Sequence, residues 1–252
     1  MIHYKSQQEI ASMKKGGHIL AEVLWEVMAA IKPGVSELEL DSLAEKLILE
    51  QGGEISFKRV PGYKHTICVS TNDVVVHGIP TEYRFKEGDV VGIDCGVYYE
   101  GFHTDMAETT QVEGKESADV KRFLTLGKHA LTQGIKAAQV GNRVGHISKT
   151  IQDIVEGEGK YSIVRTLVGH GVGRELHEDP EVPGFLRKSI EKTPELAIGM
   201  TIAVEIIYNM GAKEVVFKND DGWTIETKDG SLAGLFERTI AITEKGPIVL
   251  TD

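Results

Sequence analysis

Apolar residues recur with the period of an α-helix in four segments of this 252-residue chain. Two of the segments follow a Ser-x-x-Glu capping box, Ser6 to Glu9 and Ser36 to Glu39, which is typical of a helix start. Pro33-Gly34 is predicted to end the first helix, and Gly52-Gly53 the second. The third and fourth helices are predicted over 116–138 and 144–155.

Strand-like runs of β-branched residues occupy 66–76 and 89–112, and Tyr98-Tyr-Glu-Gly101 is predicted to be a hairpin turn within the second run. From Ser162 onward the chain is mostly strand with loops. The stretch 178–199 holds three of the seven prolines and is predicted to be a long surface loop. Since no linker or low-complexity segment interrupts the pattern, we expect one α+β domain over 1–252.

A weak internal repeat accompanies these elements. Gly88 precedes Asp94 by six residues, and Gly199 precedes Glu205 by six; an apolar run leads to the acid in both cases. Two similar halves that face each other across one site would explain the repeat, and chance would explain it equally well.

Composition narrows the possible functions. The formal net charge of −10 disfavours nucleic acid as a partner. Cys68 and Cys95 form no CxxC pair, so neither a disulfide framework nor a zinc-thiolate site is indicated, and buried apolar packing is the expected role. No signal-peptide pattern and no run of 18 apolar residues is present, so we expect a cytoplasmic protein with no membrane partner.

Four acidic residues lie inside these apolar runs: Asp94, Asp105, Glu205 and Glu237. An unpaired buried carboxylate costs several kcal/mol, and four of them would exceed the roughly 5–15 kcal/mol that stabilises a domain. Arg238 is the nearest cationic candidate, but alternation along a strand turns its side chain away from that of Glu237. A bound metal is therefore the simplest explanation.

The predicted hairpin brings two of these acids together. A turn at Glu100-Gly101 places Asp105 opposite Gly96 and diagonal to Asp94. Diagonal side chains on antiparallel strands lie about 7–8 Å apart. Both carboxylates could reach one metal, or one of them could bridge two metals. The alternative is a pair of solvated carboxylates on an exposed face of the sheet, which the flanking valines and isoleucine disfavour.

Three histidines accompany the acids. His170 and His177 lie in the glycine-rich stretch Gly169-His-Gly-Val-Gly-Arg-Glu-Leu-His-Glu-Asp-Pro180, and His77 follows an apolar run. Their spacing is not that of a helical HExxH site. Taken singly, each is more often a hydrogen-bonded structural residue, or a strand-end cap in the case of His77. Taken together, they could flank a site that the glycine backbone approaches closely.

These motifs appear in an order that resembles type I methionine aminopeptidases. The shared elements are Asn72-Asp-Val-Val-Val-His77-Gly-Ile-Pro, the Asp94 to Asp105 hairpin, Gly169-His-Gly-Val-Gly-Arg to His177-Glu, Glu205 and Glu237, and the resemblance covers essentially the whole chain. It implies the pita-bread fold: two pseudo-symmetric halves with an antiparallel sheet covered by helices on one side. The interval between His177 and Glu205 is too short for the helical insert of type II enzymes.

The resemblance implies two divalent metal ions. Asp94 would chelate one ion, Asp105 and Glu237 would bridge both, and His170 with Glu205 would complete the other. Four carboxylates and two divalent ions balance in charge. One nitrogen among oxygen donors favours Mn, Fe(II) or Co, with Zn also acceptable.

The resemblance also implies the catalytic roles. A metal-bridging hydroxide would attack the first peptide bond, His177 would donate to the developing oxyanion, and His77 would position the scissile amide. Glu205 would carry the proton to the leaving amine.

The substrate side chain would lie in a pocket of Tyr63, Cys68, Leu176 and Trp223, although each of these residues alone is more often plain core. The chain differs from the family in four places near the site: a shorter stretch from Tyr63 to Cys68, Leu176 in place of an aromatic residue, Ile206 in place of proline after Glu205, and Arg238 in place of histidine.

The implied function is removal of the N-terminal methionine from peptides and nascent chains with a small second residue. The ribosome is then an implied partner, although no basic patch supports it, and a monomer is expected. One alternative is an Xaa-Pro aminopeptidase or dipeptidase of the same fold, which usually carries a long N-terminal domain. A second is a non-catalytic peptide-binding member of the fold, and a third is an unrelated acidic structural domain.

Overall fold

Four α-helices begin close to the predicted positions in the computed structural model, which describes residues 1–114, 117–218 and 221–252. They are α1 Gln7–Ala29, α2 Glu37–Glu50, α3 Ala118–Ala137 and α4 Val144–Gln152, the last continuing into a π-helical turn, Asp153–Glu158. Both predicted capping boxes form, at Ser6 and at Ser36. Residue 116, the predicted start of the third helix, lies outside the described residues, and Ser117 caps that helix instead.

Thirteen strands are found in the described ranges: β1 Glu54–Ile55, β2 Ile67–Thr71, β3 Val74–Val76, β4 Val90–Tyr99, β5 Phe102–Gln111, β6 Ser162–Ile163, β7 Gly169–Gly171, β8 Glu178–Val182, β9 Thr201–Asn209, β10 Val215–Phe217, β11 Ile225–Thr227, β12 Ala233–Thr243 and β13 Gly246–Val249. The predicted hairpin turn is confirmed. Glu100 and Gly101 both have positive φ, at 48° and 90°, as a two-residue hairpin turn requires.

A ten-stranded antiparallel sheet organises the molecule, in the order β1-β4-β5-β12-β9-β7-β8 with β2, β6 and β13 at its margins. Helix α1 packs on β4 and β5, and α3 packs on β9 and β12, so one face of the sheet carries the helices. Each half has its own apolar core. Register pairs Glu237↔Ala107 and Arg238↔Met106 join the halves along β5 and β12.

The predicted repeat corresponds to these two halves. Gly88 and Gly199 turn the chain with φ of 85° and 89°, and the strands β4 and β9 follow them. The two halves thus present Asp94 and Glu205 from corresponding strands, which favours two similar halves over chance as the explanation of the repeat.

The strand-like run predicted over 66–76 is confirmed, and it forms two strands in different sheets. Asn72, with φ of 58°, breaks it into β2, which joins the large sheet, and β3, which joins a separate sheet with β10 and β11. The Asn72 side chain holds the break: its Nδ2 donates to Asp89 at 2.9 Å, and its Oδ1 accepts from the Val90 amide at 2.9 Å. Asn tolerates the left-handed conformation because its side chain can replace lost backbone bonds.

The long surface loop predicted over 178–199 was partly wrong. Glu178–Val182 forms β8 on β7, and a short 3₁₀ turn covers Ile190–Lys192. The prolines misled the prediction, since Pro180 lies within a strand at the margin of the sheet, where a missing amide is tolerated. Across the described parts of the chain, no helix combines the length and the apolar character needed to cross a bilayer.

Candidate active site

A single cross-strand row, termed here the acidic row, contains three of the predicted acids. Register places Asp94 opposite Ala107, Ala107 opposite Glu237, and Glu237 opposite Glu205. Directly paired residues project to the same face of a sheet. The three carboxylates therefore converge on the face opposite the helices, and they come from both halves of the molecule.

Asp105, the fourth predicted acid, lies on β5 beside the acidic row. It pairs with Gly96, as predicted, and lies two residues before Ala107, so it faces the same side. Thr239 on β12 fixes its backbone: the Asp105 amide donates to Thr239 Oγ1 at 2.9 Å, and Thr239 Oγ1 donates to the Asp105 carbonyl at 2.8 Å. The side chain is thereby held at the junction of the two halves.

Strands β7 and β8 bring the two loop histidines together. Gly171 pairs with Glu178, so the loop between them closes on itself with His170 and His177 at its two ends. The imidazole rings lie 4.4 Å apart between centroids. His170 Nδ1 lies 2.8 Å from the Gly171 carbonyl, which fixes the proton on Nδ1 and leaves Nε2 free as a lone-pair donor.

The ligand-type atoms of Asp105, His170 and Glu237 all lie within 4.8 Å of one another. His170 Nε2 is 3.9 Å from Asp105 Oδ2. Asp94 and Glu205 lie at the two ends of the acidic row, beside this trio. The structure therefore gathers all five predicted metal ligands at one place.

Within the described parts of the chain, no lysine or arginine forms an ion pair with the carboxylates of the acidic row. Burial raises the pKa of Asp94 to about 7, and burial together with the Asp94 charge raises the pKa of Glu205 to about 8. Burial and the neighbouring carboxylates raise the pKa of Asp105 and Glu237 well above the usual range. Asp94 Oδ1 and Glu237 Oε1 are buried and find no hydrogen-bond partner among the described residues. Orphaned anionic oxygens of this kind fit a site built for metal cations.

Arg238 lies on the other face of the sheet, as alternation predicts. Its guanidinium donates to Glu108 Oε2 at 2.8 Å and to the carbonyl oxygens of Ala107 and Glu237 at 3.1 and 2.7 Å. Arg238 therefore ties β5 to β12 behind the acidic row, and its charge offsets only part of the rise that burial and the neighbouring carboxylates cause in the pKa of Glu237. The arginine that replaces the family's histidine therefore lies on the helix side of the sheet, against Trp25 of α1, and does not line the cavity.

His77 approaches the site from the end of β3. Its φ of 56° is unusual for a residue other than glycine and places it in a strained region that is common at functional positions. Burial, with a smaller contribution from the charge of His177, lowers the pKa of His77 to about 4. The ring is therefore neutral near pH 7, with one nitrogen able to donate and the other able to accept.

An apolar pocket adjoins the acidic row. Cys68 pairs directly with Asp94 across β2 and β4, so the pocket and the row share a wall. Tyr63 packs edge-on against Trp223 at 5.1 Å between centroids and donates its hydroxyl to the Ile67 carbonyl at 2.8 Å. Leu176 belongs to the same apolar cluster. Both cysteines are free and buried, as expected.

One cavity of about 670 Å³ collects every predicted site residue: Tyr63, Cys68, His77, Asp94, Asp105, His170, Leu176, His177, Glu205, Trp223 and Glu237. Sequence reasoning missed Phe57, which packs with Tyr63 in the pocket wall, and His3 and Glu178, which also line the cavity. Phe57 lies on a short 3₁₀ turn without apolar periodicity. The one feature of the sequence that could have identified Phe57 is that it is an aromatic residue just before the turn residues Pro61-Gly62.

Comparison with known proteins gives one consistent result. The model of metallopeptidase family M24 matches residues 11–244. The chain is 43% identical over 251 residues to a methionine aminopeptidase of Clostridium perfringens and 43% identical over 251 residues to methionine aminopeptidase 1 of Bacillus subtilis, covering 100% of this chain and 99% of each relative.

The solved structures agree. A methionine aminopeptidase from Thermotoga maritima superposes with a TM-score of 0.95 at 40% identity, over the full length of both chains. A prolidase from Pyrococcus furiosus shares the fold alone, with a TM-score of 0.77 at 24% identity, and the present chain covers 65% of it. The predicted pita-bread architecture is confirmed.

Proposed function

The chain belongs to the methionine aminopeptidases of metallopeptidase family M24, and we propose that it releases methionine from the amino terminus of peptides and nascent chains whose second residue is small. It is a hydrolase of the exopeptidase type. The observation that carries the proposal is the acidic row, with Asp105 and His170 beside it, in contact with an apolar pocket of aromatic and sulfur-containing side chains.

Two divalent ions would fit the donor set. Asp94 would hold one, Asp105 and Glu237 would hold both, and His170 with Glu205 would hold the other. The orphaned oxygens of Asp94 and Glu237 support this assignment, as does the balance of four carboxylate charges against two divalent cations. When bound, such ions acidify water and polarise a carbonyl group. Mn, Fe(II), Co and Zn are all compatible with one imidazole among carboxylates.

The side chains around the donor set would share the remaining work. His177 is exposed to the cavity and would donate a hydrogen bond to the oxygen of the scissile carbonyl as negative charge develops there. His77, held neutral, would donate to or accept from the scissile amide and so orient it. Glu205 would accept a proton from the attacking water at its carboxylate and deliver it to the leaving amine.

The pocket lies directly beside the acidic row, and this arrangement supports cleavage at the amino terminus of the substrate. Because Cys68 is the direct neighbour of Asp94, a methionine side chain in the pocket places its own α-amine beside the Asp94 end of the row. A thioether packs favourably against aromatic rings such as those of Tyr63 and Trp223. The free amine would thus be recognised together with the side chain. We place this activity in the cytoplasm, with the ribosome as a partner and a monomer as the working form.

Peptide hydrolysis tests the proposed function. The purified protein, loaded with manganese, is incubated with Met-Ala-Ser, Met-Leu-Ser and Ala-Pro-Ser, and the released amino acid is measured by mass spectrometry. We expect methionine from Met-Ala-Ser, little or none from Met-Leu-Ser, and none after chelation, with recovery when manganese is restored.

Other outcomes would redirect the assignment. Release of alanine from Ala-Pro-Ser in place of methionine would identify a proline-specific enzyme of the same fold. Tight binding of Met-Ala-Ser without any cleavage by the metal-loaded protein would identify a non-catalytic peptide-binding member. Cleavage that is unchanged by exhaustive chelation would refute a metal-dependent reaction.

A further inference from the structure

A lysine outside the described machinery is buried next to the active site. Lys5 precedes α1, and its side chain is 4% exposed; its Nζ lies 2.5 Å from Oε2 of Glu178, whose side chain is 5% exposed. The Lys5 backbone amide donates to the Gly199 carbonyl at 2.7 Å, which docks the segment before α1 onto the chain leading into β9. Removing one partner of a buried ion pair leaves the other charge uncompensated, which is strongly unfavourable.

Glu178 closes the loop that presents the two site histidines. It follows His177 directly and pairs with Gly171, the residue after His170. Its second oxygen, Oε1, accepts from the Glu175 amide within the loop at 3.2 Å. One carboxylate therefore connects the buried ammonium of Lys5, the interior of the loop and the residue next to His177.

The lysine side chain passes close over the loop. A Cβ atom at Gly173 would come within 2.4 Å of Lys5 Cε, so any larger residue there would require the end of the lysine chain to move. On the other side, the Gly173 carbonyl accepts from the His103 amide at 2.7 Å. The loop is thus held between Lys5 and strand β5, which also carries Asp105.

We infer that Lys5 is a positioning residue for His177. Through the buried ion pair with Glu178, it holds the closed loop 171–178 so that the His177 imidazole points into the cavity opposite His170. The inference rests on the proposed function, because His177 acts there on the scissile carbonyl. Lys5 itself lines neither the donor set nor the apolar pocket. The inference therefore gives the segment before α1 an indirect role in the reaction.

Four variants of the full-length, metal-loaded protein test the inference: Lys5→Met, Lys5→Arg, Lys5→Met combined with Glu178→Gln, and Arg174→Met as the matched control. Arg174 lies in the same loop and also reaches the start of α1, where it pairs with Glu9 at 2.8 Å, but the pair is exposed. The readouts are kcat and KM for Met-Ala-Ser and the imidazole ¹⁵N resonances of His177 in the zinc-loaded protein.

In Lys5→Met we expect kcat to fall by about tenfold or more, with KM changed by less than about threefold, because small displacements of a catalytic group cost rate rather than affinity. The His177 resonances should shift. Lys5→Arg should keep most of the wild-type kcat, because it keeps the positive charge. The double variant should recover part of the kcat lost in Lys5→Met, since it leaves no unpaired Glu178 charge behind. Arg174→Met should remain within about twofold of the wild type.

Each contrary result is informative. A lower melting temperature in Lys5→Met, with kcat and His177 resonances unchanged in the folded protein, would reduce Lys5 to a stabilising role and overturn the inference. An equal loss of kcat in Arg174→Met would overturn the inference as well, because the effect would then not be specific to the buried Lys5–Glu178 pair. If the wild type failed to cleave Met-Ala-Ser, the proposed function would fall, and the His177 resonances would still decide the positioning role.

Discussion

Glu237→Gln is expected to abolish methionine release and to remove most of the divalent metal that the protein binds. Glu237 occupies the centre of the acidic row, between Ala107 and Glu205, and is 3% exposed. Glutamine keeps the shape of the side chain but loses the charge and one of two anionic oxygens. The loss of turnover should exceed the about 10–100-fold typical of residues that only support a ligand. Steady-state kinetics and metal content by mass spectrometry measure both effects.

The same change should stabilise the metal-free protein. Burial and the neighbouring carboxylates raise the pKa of Glu237, so a neutral amide removes the cost of burying a charge and relieves repulsion within the row. Glu108→Gln is the matched control: Glu108 is equally buried in the same sheet but faces the helices, where it pairs with Arg238. That variant should lose stability and keep its metal. Full activity with full metal occupancy in Glu237→Gln would refute the bridging role.

His177→Ala should lower kcat by on the order of 10²–10³-fold, the usual cost of removing one donor to a developing oxyanion. Metal content should stay at the wild-type level, because the His177 ring packs edge-on against His170 and is not itself one of the five proposed donors. The measurement is kcat for Met-Ala-Ser alongside metal analysis of the same samples.

An exposed histidine provides the comparison for this variant. His18 lies on the solvent side of α1, so His18→Ala makes the same substitution far from the cavity and should leave kcat unchanged. If His177→Ala retained the wild-type kcat, the oxyanion role would have to pass to another donor. If it lost its metal, His177 would have to be counted among the ligands.

Two relations at the site could be predicted from the sequence because they depend on local rules. Alternation along β12 separates Glu237 from Arg238, and the turn at Glu100-Gly101 sets the register that pairs Asp105 with Gly96. Both relations follow from strand geometry. The order of motifs then supplied the remaining ligands through the resemblance to a known family.

The errors and omissions have a different origin. Asn72 breaks a β-branched run through side-chain bonds to Asp89 and Val90, and β8 forms in a proline-containing stretch because β7 offers it a partner. Lys5 and Glu178 are 173 residues apart, so no local pattern connects them. Tertiary contacts of this kind override propensity, and a single sequence does not display them.

A pair of divalent cations is proposed to neutralise the carboxylates gathered from the two halves of the sheet. Anomalous diffraction from crystals soaked in manganese tests this proposal most directly. Two peaks are predicted on the helix-free face, bounded by Asp94 at one side and by His170 and Glu205 at the other, with Asp105 and Glu237 contacting both. A map with no anomalous density among these five side chains at saturating manganese would contradict it.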